Sequence, residues 1–195
     1  MQSGPDPMNF NRRQLLRLLV VGGAFCCRGR SAQALGGTMP AIGSVAPMFD
    51  LEGTDRTNPD QKRWSLNDFQ GRWLVLYFYP RDFTSGCTIE AHGFQSLVNE
   101  FDQAGASIVA ISADNLEEHE SFCTSEGLDF PLLSDPDGAV SRRYGSWMPP
   151  YSMRHTFLID PEGVLSESWT GVRPVGHARE VLRTLQTACQ QNRRV

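Results

Sequence analysis

Residues 79–88 read YPRDFTSGCT, and this stretch separates two segments with different hydrophobic patterns. The residues directly before it, 73–78, are all apolar, which is typical of a buried strand. After it, residues 94, 97, 98 and 101 are apolar at the spacing of one helix face. The stretch is therefore a strand-to-helix loop, and Cys87 lies in the first turn of the helix. Because unpaired N–H groups and the positive end of the helix dipole meet there, a thiolate is favoured over a thiol.

Strand patterns and helix patterns alternate along the rest of the chain. Strands are predicted at residues 73–79, 107–112, 130–133, 156–159 and 164–169, and helices at 84–103, 114–126, 139–144 and 178–189. Residues 52–63 and 145–153 are predicted to be loops. Helix-length connections imply parallel central strands, and the last two strands form a hairpin. The sequence predicts an α/β fold with a central mixed sheet flanked by helices on both faces.

Length, charge and cysteine content narrow the class of protein. The 195 residues fit one domain plus an N-terminal extension, and the net charge of −4 argues against a nucleic-acid partner. Two of the five cysteines, Cys26 and Cys27, lie in the extension, and Cys87, Cys123 and Cys189 lie in the body. The absence of a Cys-x-x-Cys motif weighs against a thioredoxin-type redox motif and against a zinc ribbon.

Residues 1–34 have the pattern of a cleaved export signal. The run NRRQLLR at 11–17 resembles a twin-arginine signal, and a short apolar stretch leads to a small-x-small cleavage site at 32–34. The apolar stretch is too short to span a bilayer. The expected mature chain is a single domain at 35–195, exported to the periplasm or a thylakoid lumen without stable membrane association. If the segment is not a functional signal, the protein is cytoplasmic.

Pro80, Thr84 and Cys87 stand in a Pro-x-x-x-Thr-x-x-Cys spacing that resembles the active-site motif of the peroxiredoxins. The wider run is similar to the bacterioferritin comigratory protein, or peroxiredoxin Q, subfamily. Further matching segments lie at residues 43–49, 130–135 and 154–163, so the resemblance covers about residues 40–190. It implies a thioredoxin-like fold and a thiol-dependent peroxidase that reduces hydrogen peroxide and organic hydroperoxides.

The resemblance also implies roles for individual residues. Cys87 is the peroxidatic nucleophile, which a peroxide oxidises to a sulfenic acid. Thr84 orients the peroxide, although its hydroxyl is also placed to cap the helix. Pro80 shapes the loop and shields the sulfur from water. Arg154 holds the thiolate and polarises the peroxide oxygens. Glu90 is expected to be a helix-surface acid without a catalytic role.

The residue that resolves the sulfenic acid is less well defined by the sequence. Many relatives carry a second cysteine five residues after the first, where this chain has His92. The resemblance then points to Cys123 on the following helix, which would form an intramolecular disulfide with Cys87 after local unwinding. Cys189 remains an alternative, although its place on the apolar stripe of the last helix is typical of core packing.

The expected reductant is thioredoxin or a similar dithiol protein, and the expected state is a monomer. No haem, flavin or metal is required, because sulfur carries the chemistry. His119 and Cys123 have the i, i+4 spacing of a metal pair, but no further ligands accompany them. Two alternatives stay open: a one-cysteine peroxidase reduced by an external thiol, and a non-enzymatic redox sensor on the same fold.

Overall fold

The computed structural model describes residues 36–192, except for the side chain of residue 192. The predicted export signal at 1–34, its cleavage site, Cys26 and Cys27 lie outside the described residues. The domain boundary at residue 35 therefore stays a prediction. Within the described range, no helix combines the length and the apolar character needed to cross a membrane.

The described chain alternates strands and helices over most of its length. The strands are β1 (Asp50–Thr54), β2 (Arg63–Ser65), β3 (Trp73–Phe78), β4 (Ala106–Ser112), β5 (Leu132–Ser134), β6 (Trp147–Met148), β7 (Tyr151–Ser152), β8 (His155–Ile159) and β9 (Leu165–Trp169). The helices are α1 (Ser85–Gln95), α2 (Val98–Gln103), α3 (Leu116–Glu126), α4 (Ala139–Arg143) and α5 (His177–Asn192), with a 3₁₀ turn at Leu66–Phe69.

Seven of these strands form one mixed sheet in the order β2-β1-β5-β4-β3-β8-β9. Strand β4 pairs in parallel with β3 and with β5, whereas β8 pairs antiparallel with β3. The strands of each parallel pair are joined by helices, because parallel neighbours need a crossover connection. Strands β6 and β7 form a separate hairpin that includes the cis peptide bond between Pro149 and Pro150.

Both faces of the sheet are covered, because β3 sends alternate side chains to two apolar cores. Val75 and Tyr77 belong to the core under α1, α2, α3 and α5. Leu74 and Leu76 belong to the core on the opposite face, which includes residues of α4 and of the 3₁₀ turn. The predicted fold, a mixed sheet with helices on both faces, is confirmed.

One predicted helix, at residues 84–103, is divided in the structure. Helix α1 ends at Gln95 and α2 begins at Val98. The hydroxyl of Ser96 donates to the carbonyl of Gly93 at 2.9 Å, and the amide of Leu97 donates to Phe94 in a tighter i to i+3 bond. Such local side-chain bonding competes with the helix ladder, and the buried Leu97 leaves the helical conformation.

The two predicted loops also contain regular structure. Strand β1 extends to Thr54 and β2 begins at Arg63, so the loop at 52–63 is shorter than predicted. The segment at 145–153 contains the β6–β7 hairpin. The sequence pattern missed these short strands because pairing with a partner, rather than local propensity, stabilises them.

Strand order places two loops side by side at one edge of the sheet. Because β8 runs antiparallel to β3, Phe78 at the end of β3 pairs with His155 at the start of β8. The residue before β8 is Arg154, and the loop after β3 leads to Cys87. Two positions 67 residues apart in sequence therefore meet at the first turn of α1.

Candidate active site

Cys87 is the third residue of α1, and its side chain is 2 % exposed. Thr84 has the extended backbone of an N-cap residue, but its hydroxyl makes no capping bond. Its Oγ1 instead lies 2.8 Å from Cys87 Sγ and 2.9 Å from the carbonyl oxygen of Arg81. The hydroxyl has a single proton. When Cys87 is a thiol, Thr84 donates this proton to the carbonyl oxygen of Arg81, and when Cys87 is a thiolate, the hydroxyl can turn and donate to the sulfur.

Arg154 contacts the same sulfur. Its Nη2 donates to Cys87 Sγ at 3.3 Å, and its side chain is 15 % exposed. Gly86 allows this approach, because a Cβ at that position would lie 3.2 Å from Nη2. The guanidinium is a permanent charge, so it stabilises an anionic sulfur and the negative charge that develops on peroxide oxygens.

Glu90 is buried rather than exposed on the helix surface, so the expectation of a surface acid was wrong. It is 1 % exposed, and Arg154 Nη1 donates to its Oε2. Its other oxygen, Oε1, has no hydrogen-bond partner among the described residues. The signal was present in the sequence, because Glu90 lies three residues after Cys87 and four before Phe94, which are both buried on that face of α1.

Burial changes the protonation of this acid. Removal from water raises the pKa of Glu90 from 4.5 to about 7, against the opposing attraction of Arg154. The same acid raises the pKa of the Arg154 guanidinium despite burial. Glu90 therefore changes its protonation state near neutral pH. Below a pH of about 7 it is a neutral partner of Arg154, and above that pH it is a negatively charged counter-ion of the same arginine, which contacts the sulfur.

We expect Glu90→Gln to change how stability depends on pH. A carboxyl with a pKa of about 7 when folded and 4.5 when unfolded holds its proton more tightly in the folded chain. Its contribution to stability therefore falls as pH rises from 4.5 to 7, by up to about 3 kcal/mol. Urea unfolding of both reduced proteins between pH 5 and 8 should show that the free energy of unfolding of the variant increases relative to that of the wild type as pH rises. Parallel curves would contradict the assignment.

Pro80 follows Tyr79, whose amide donates to the carbonyl of Ile111 at 3.1 Å. Pro80 has no N–H and is half-buried, so hydrogen bonding of this strand to its neighbour ends there. Its shielding of the sulfur stays a prediction.

Cys123 lies on the buried face of α3, next to Phe122, as predicted. It is 1 % exposed, its Sγ lies 3.4 Å from the carbonyl oxygen of Leu128, and burial raises the pKa of its thiol. Cys87 and Cys123 are both free thiols with different partners. Cys189 is half-buried on α5, with its sulfur 3.7 Å from the carbonyl oxygen of Ala104.

His119 does not form a ligand pair with Cys123. Its ring nitrogens face Asp82 Oδ2 at 2.8 Å and the carbonyl oxygen of Leu133 at 3.2 Å. His92, at the position where many relatives carry a cysteine, is half-exposed, and its Nε2 lies 2.9 Å from Glu126 of α3.

Together the fold and the site define a class of protein: a thioredoxin-like α/β domain in which the buried thiol of Cys87, in the first turn of a helix, contacts a hydroxyl and a guanidinium. The family model described as AhpC/TSA matches residues 42–168 of the chain. Peroxiredoxin Bcp of Xanthomonas campestris is 41 % identical over 162 residues, which cover 78 % of this chain and 96 % of that protein. Peroxiredoxin Bcp of Bacillus subtilis is 35 % identical, over 74 % of this chain and 94 % of that protein.

Solved structures agree with the sequence comparison. The bacterioferritin comigratory protein of Xanthomonas campestris aligns with a TM-score of 0.66 at 35 % identity, covering 72 % of this chain and 92 % of that one. A mutant of PrxQ from Xylella fastidiosa aligns with a TM-score of 0.71 at 32 % identity, covering 78 % and 99 %. The chain belongs to the AhpC/TSA family and, within it, to the Bcp or peroxiredoxin Q branch of the peroxiredoxins. The predicted family and the predicted thiol peroxidase activity are confirmed.

Proposed function

We propose that Cys87 is the peroxidatic nucleophile of this peroxidase and that Thr84 and Arg154 hold the peroxide against it. The observation that carries the proposal is the pair of contacts to Cys87 Sγ, 2.8 Å from Thr84 Oγ1 and 3.3 Å from Arg154 Nη2. Both groups can donate to an anion at the N-terminus of α1, where the helix dipole adds to their effect.

In the first step the Cys87 thiolate attacks the terminal oxygen of a hydroperoxide. A sulfur–oxygen bond forms, the oxygen–oxygen bond breaks, and Cys87 becomes a sulfenic acid. The leaving oxygen takes a proton and departs as an alcohol, or as water when the substrate is hydrogen peroxide. The Xanthomonas campestris structure is described by its alkyl peroxide reduction activity, which supports organic hydroperoxides as substrates here too.

In the second step Cys123 attacks the sulfenic sulfur. A disulfide forms, the sulfur–oxygen bond breaks, and water leaves. Cys123 is favoured over Cys189 because its neighbour Phe122 packs edge-on against Phe83 of the Cys87 loop, with ring centroids 5.1 Å apart. Cys189 contacts the end of α2 instead.

In the third step an external dithiol protein of the thioredoxin type reduces the disulfide. Its two thiols become a disulfide, and the thiols of Cys87 and Cys123 are restored. All electrons delivered to the peroxide therefore come from that dithiol, and the domain requires no redox cofactor for the cycle.

Peptide mapping after one equivalent of hydrogen peroxide tests the resolving step. We expect one intramolecular bridge between Cys87 and Cys123. Cys123→Ser should accumulate Cys87 sulfenic acid without the bridge and lose turnover with thioredoxin, because no disulfide is presented to the reductant. Cys189→Ser is the matched control and should retain both the Cys87–Cys123 bridge and the turnover with thioredoxin. A bridge to Cys189 would transfer the resolving role, and a wild-type protein without any bridge would indicate the one-cysteine peroxidase.

A further inference from the structure

Residues 36–39 pack against the end of α4 and the β6–β7 hairpin, and we refer to them as the strap. The amide of Trp147 in β6 donates to the carbonyl of Gly36 at 3.1 Å. Gly36 is buried and Gly37 is half-buried, whereas the other two residues of the strap are exposed. The strap is therefore attached to the domain mainly through its two glycines.

Both glycines of the strap occupy places where a side chain would not fit. The φ angles of Gly36 and Gly37 are 122° and 95°, in a region that favours glycine. A Cβ on Gly36 would lie 2.7 Å from the carbonyl oxygen of Gly145. A Cβ on Gly37 would overlap the carbonyl of Arg142 at the end of α4. Because these obstacles are backbone atoms, a side chain at either position would force the strap away from the domain.

The surface that receives the strap is also closely packed. A Cβ on Gly145 would lie 2.9 Å from the backbone nitrogen of Met39. The side chain of Trp147 is 6 % exposed, and its ring fills the space where a Cβ on Gly138 would lie. The guanidinium carbon of Arg142 lies 5.6 Å from the centre of the same ring. The strap, the end of α4 and strand β6 therefore pack as one unit.

The segment that contacts the strap leads directly to Arg154. Met153 precedes Arg154, and its amide donates to the carbonyl of Ser146 at 2.7 Å. The terminal methyl group of Met153 fills the space beside Gly36. His155 follows Arg154, and its Nδ1 lies 3.0 Å from Ser146 Oγ. Both sequence neighbours of Arg154 are therefore held by the segment on which the strap docks.

The contact between Arg154 and Cys87 depends on accurate placement of that segment. The Nη2 to Sγ distance is 3.3 Å, and a hydrogen bond weakens as its distance and angle depart from the ideal. A displacement of about 1 Å near a reacting group can lower a rate by about 10²-fold. Strands β6 and β7 form two residue pairs, and so short a hairpin is marginal without further packing. Docking of the strap on β6 supplies such packing.

We propose that Gly36 and Gly37 are positioning residues for the peroxidase reaction, because they dock the strap on the β6–β7 hairpin and thereby hold Arg154 against Cys87. This inference rests on the proposed role of Arg154. While the strap is docked, the guanidinium is in place for the thiolate and the peroxide. When the strap is detached, the hairpin moves more freely and the guanidinium spends less time on the sulfur. The glycines act through Arg154, since the groups that contact Cys87 Sγ are Thr84 and Arg154.

The experiment introduces Gly36→Ala, Gly37→Ala and the double variant into the full chain. Hydrogen exchange of the Trp147 amide, followed by NMR, reports docking, because that amide donates to Gly36. Quenched-flow mass spectrometry measures the rate constant for oxidation of Cys87 by hydrogen peroxide. In the double variant we expect exchange of the Trp147 amide to be at least about tenfold faster and oxidation of Cys87 about tenfold slower. Each single variant should change both quantities in the same directions by smaller factors.

Gly43→Ala is the matched control, because Gly43 follows the strap closely in sequence. Its φ is 81°, but a Cβ there would meet no atom within 4 Å. The control therefore introduces backbone strain of the same kind without an overlap. Exchange of the Trp147 amide and oxidation of Cys87 should both stay within about twofold of wild type.

The Arg154→Met background separates positioning of Arg154 from a general loss of stability. In that background the strap has no guanidinium to position, so adding Gly36→Ala and Gly37→Ala should slow oxidation of Cys87 no further. A general weakening of the fold would instead lower the rate by the same factor whether or not Arg154 is present.

Three results would overturn the inference. The first is fast exchange of the Trp147 amide with an unchanged rate of Cys87 oxidation. The second is an equal loss of rate in the Arg154→Met background. The third is a Trp147 amide that stays protected in the double variant, because the glycines would then not be required for docking. If Arg154→Met alone oxidised as fast as the wild type, the proposed function of Arg154 would fail instead.

Discussion

Cys87→Ser is expected to abolish peroxide consumption, lowering it by a factor on the order of 10⁴ or more. Serine keeps the size of the side chain and can still bond to Thr84 and Arg154, so the fold and the surrounding charges should be retained. A hydroxyl at this position does not ionise near neutral pH and is a poor nucleophile towards peroxide.

The measurement is the rate of hydrogen peroxide loss with a thioredoxin system, compared with Cys189→Ser under the same conditions. The sulfur of Cys189 lies on α5 near the carbonyl oxygen of Ala104, so its replacement should leave the rate within about twofold. If Cys87→Ser kept its activity while folded, the nucleophile would have to be another cysteine, and Cys123→Ser would be the next variant to measure.

Arg154→Met is expected to lower kcat/KM for hydrogen peroxide by about 10²–10³-fold, as loss of one transition-state donor does elsewhere. Methionine fills much of the same volume but supplies neither the donor at 3.3 Å from Cys87 Sγ nor the charge. Arg154→Lys should be intermediate, since one ammonium cannot reproduce the forked contact with both Cys87 and Glu90.

Arg154→Met also leaves Glu90 buried without its partner, and loss of stability alone could lower activity. The double variant Arg154→Met/Glu90→Gln separates the two effects, because a neutral amide replaces the buried acid. We expect it to recover stability in urea unfolding at pH 8 without recovering the rate. Recovery of both would mean that Arg154 supports the fold and does not act on the peroxide.

Much of the site could be predicted because its parts are local in sequence. The apolar run ending at Phe78, the loop and the amphipathic helix place Cys87 in the first turn of α1, and Thr84 three residues before it. The division of the predicted helix after Gln95 was missed by periodicity, although a side-chain bond from Ser96 to a backbone carbonyl accompanies it. Periodicity records which face is apolar, but not where a single polar bond interrupts the helix.

The burial of Glu90 and the contact between Asp82 and His119 were missed for a different reason. An acidic side chain on a helix is exposed in most proteins. For Glu90, only its position on the same helix face as Cys87 and Phe94 argued against exposure. The partner that permits its burial, Arg154, lies 64 residues away. Likewise, Asp82 and His119 are 37 residues apart and meet because β3 and β4 are parallel neighbours whose following segments lie at the same edge of the sheet.

The order of residues along the chain was sufficient to place the thiol of Cys87 at a helix start within an α/β domain, because hydrophobic period and turn chemistry are local properties. The groups that surround this thiol depended on packing in three dimensions. Antiparallel pairing of β8 with β3 brought Arg154 to Cys87 and Glu90, and parallel pairing of β3 with β4 brought Asp82 to His119. Desolvation raises the pKa of Glu90, and neither this burial nor the long-range pairing is encoded in any single stretch of sequence.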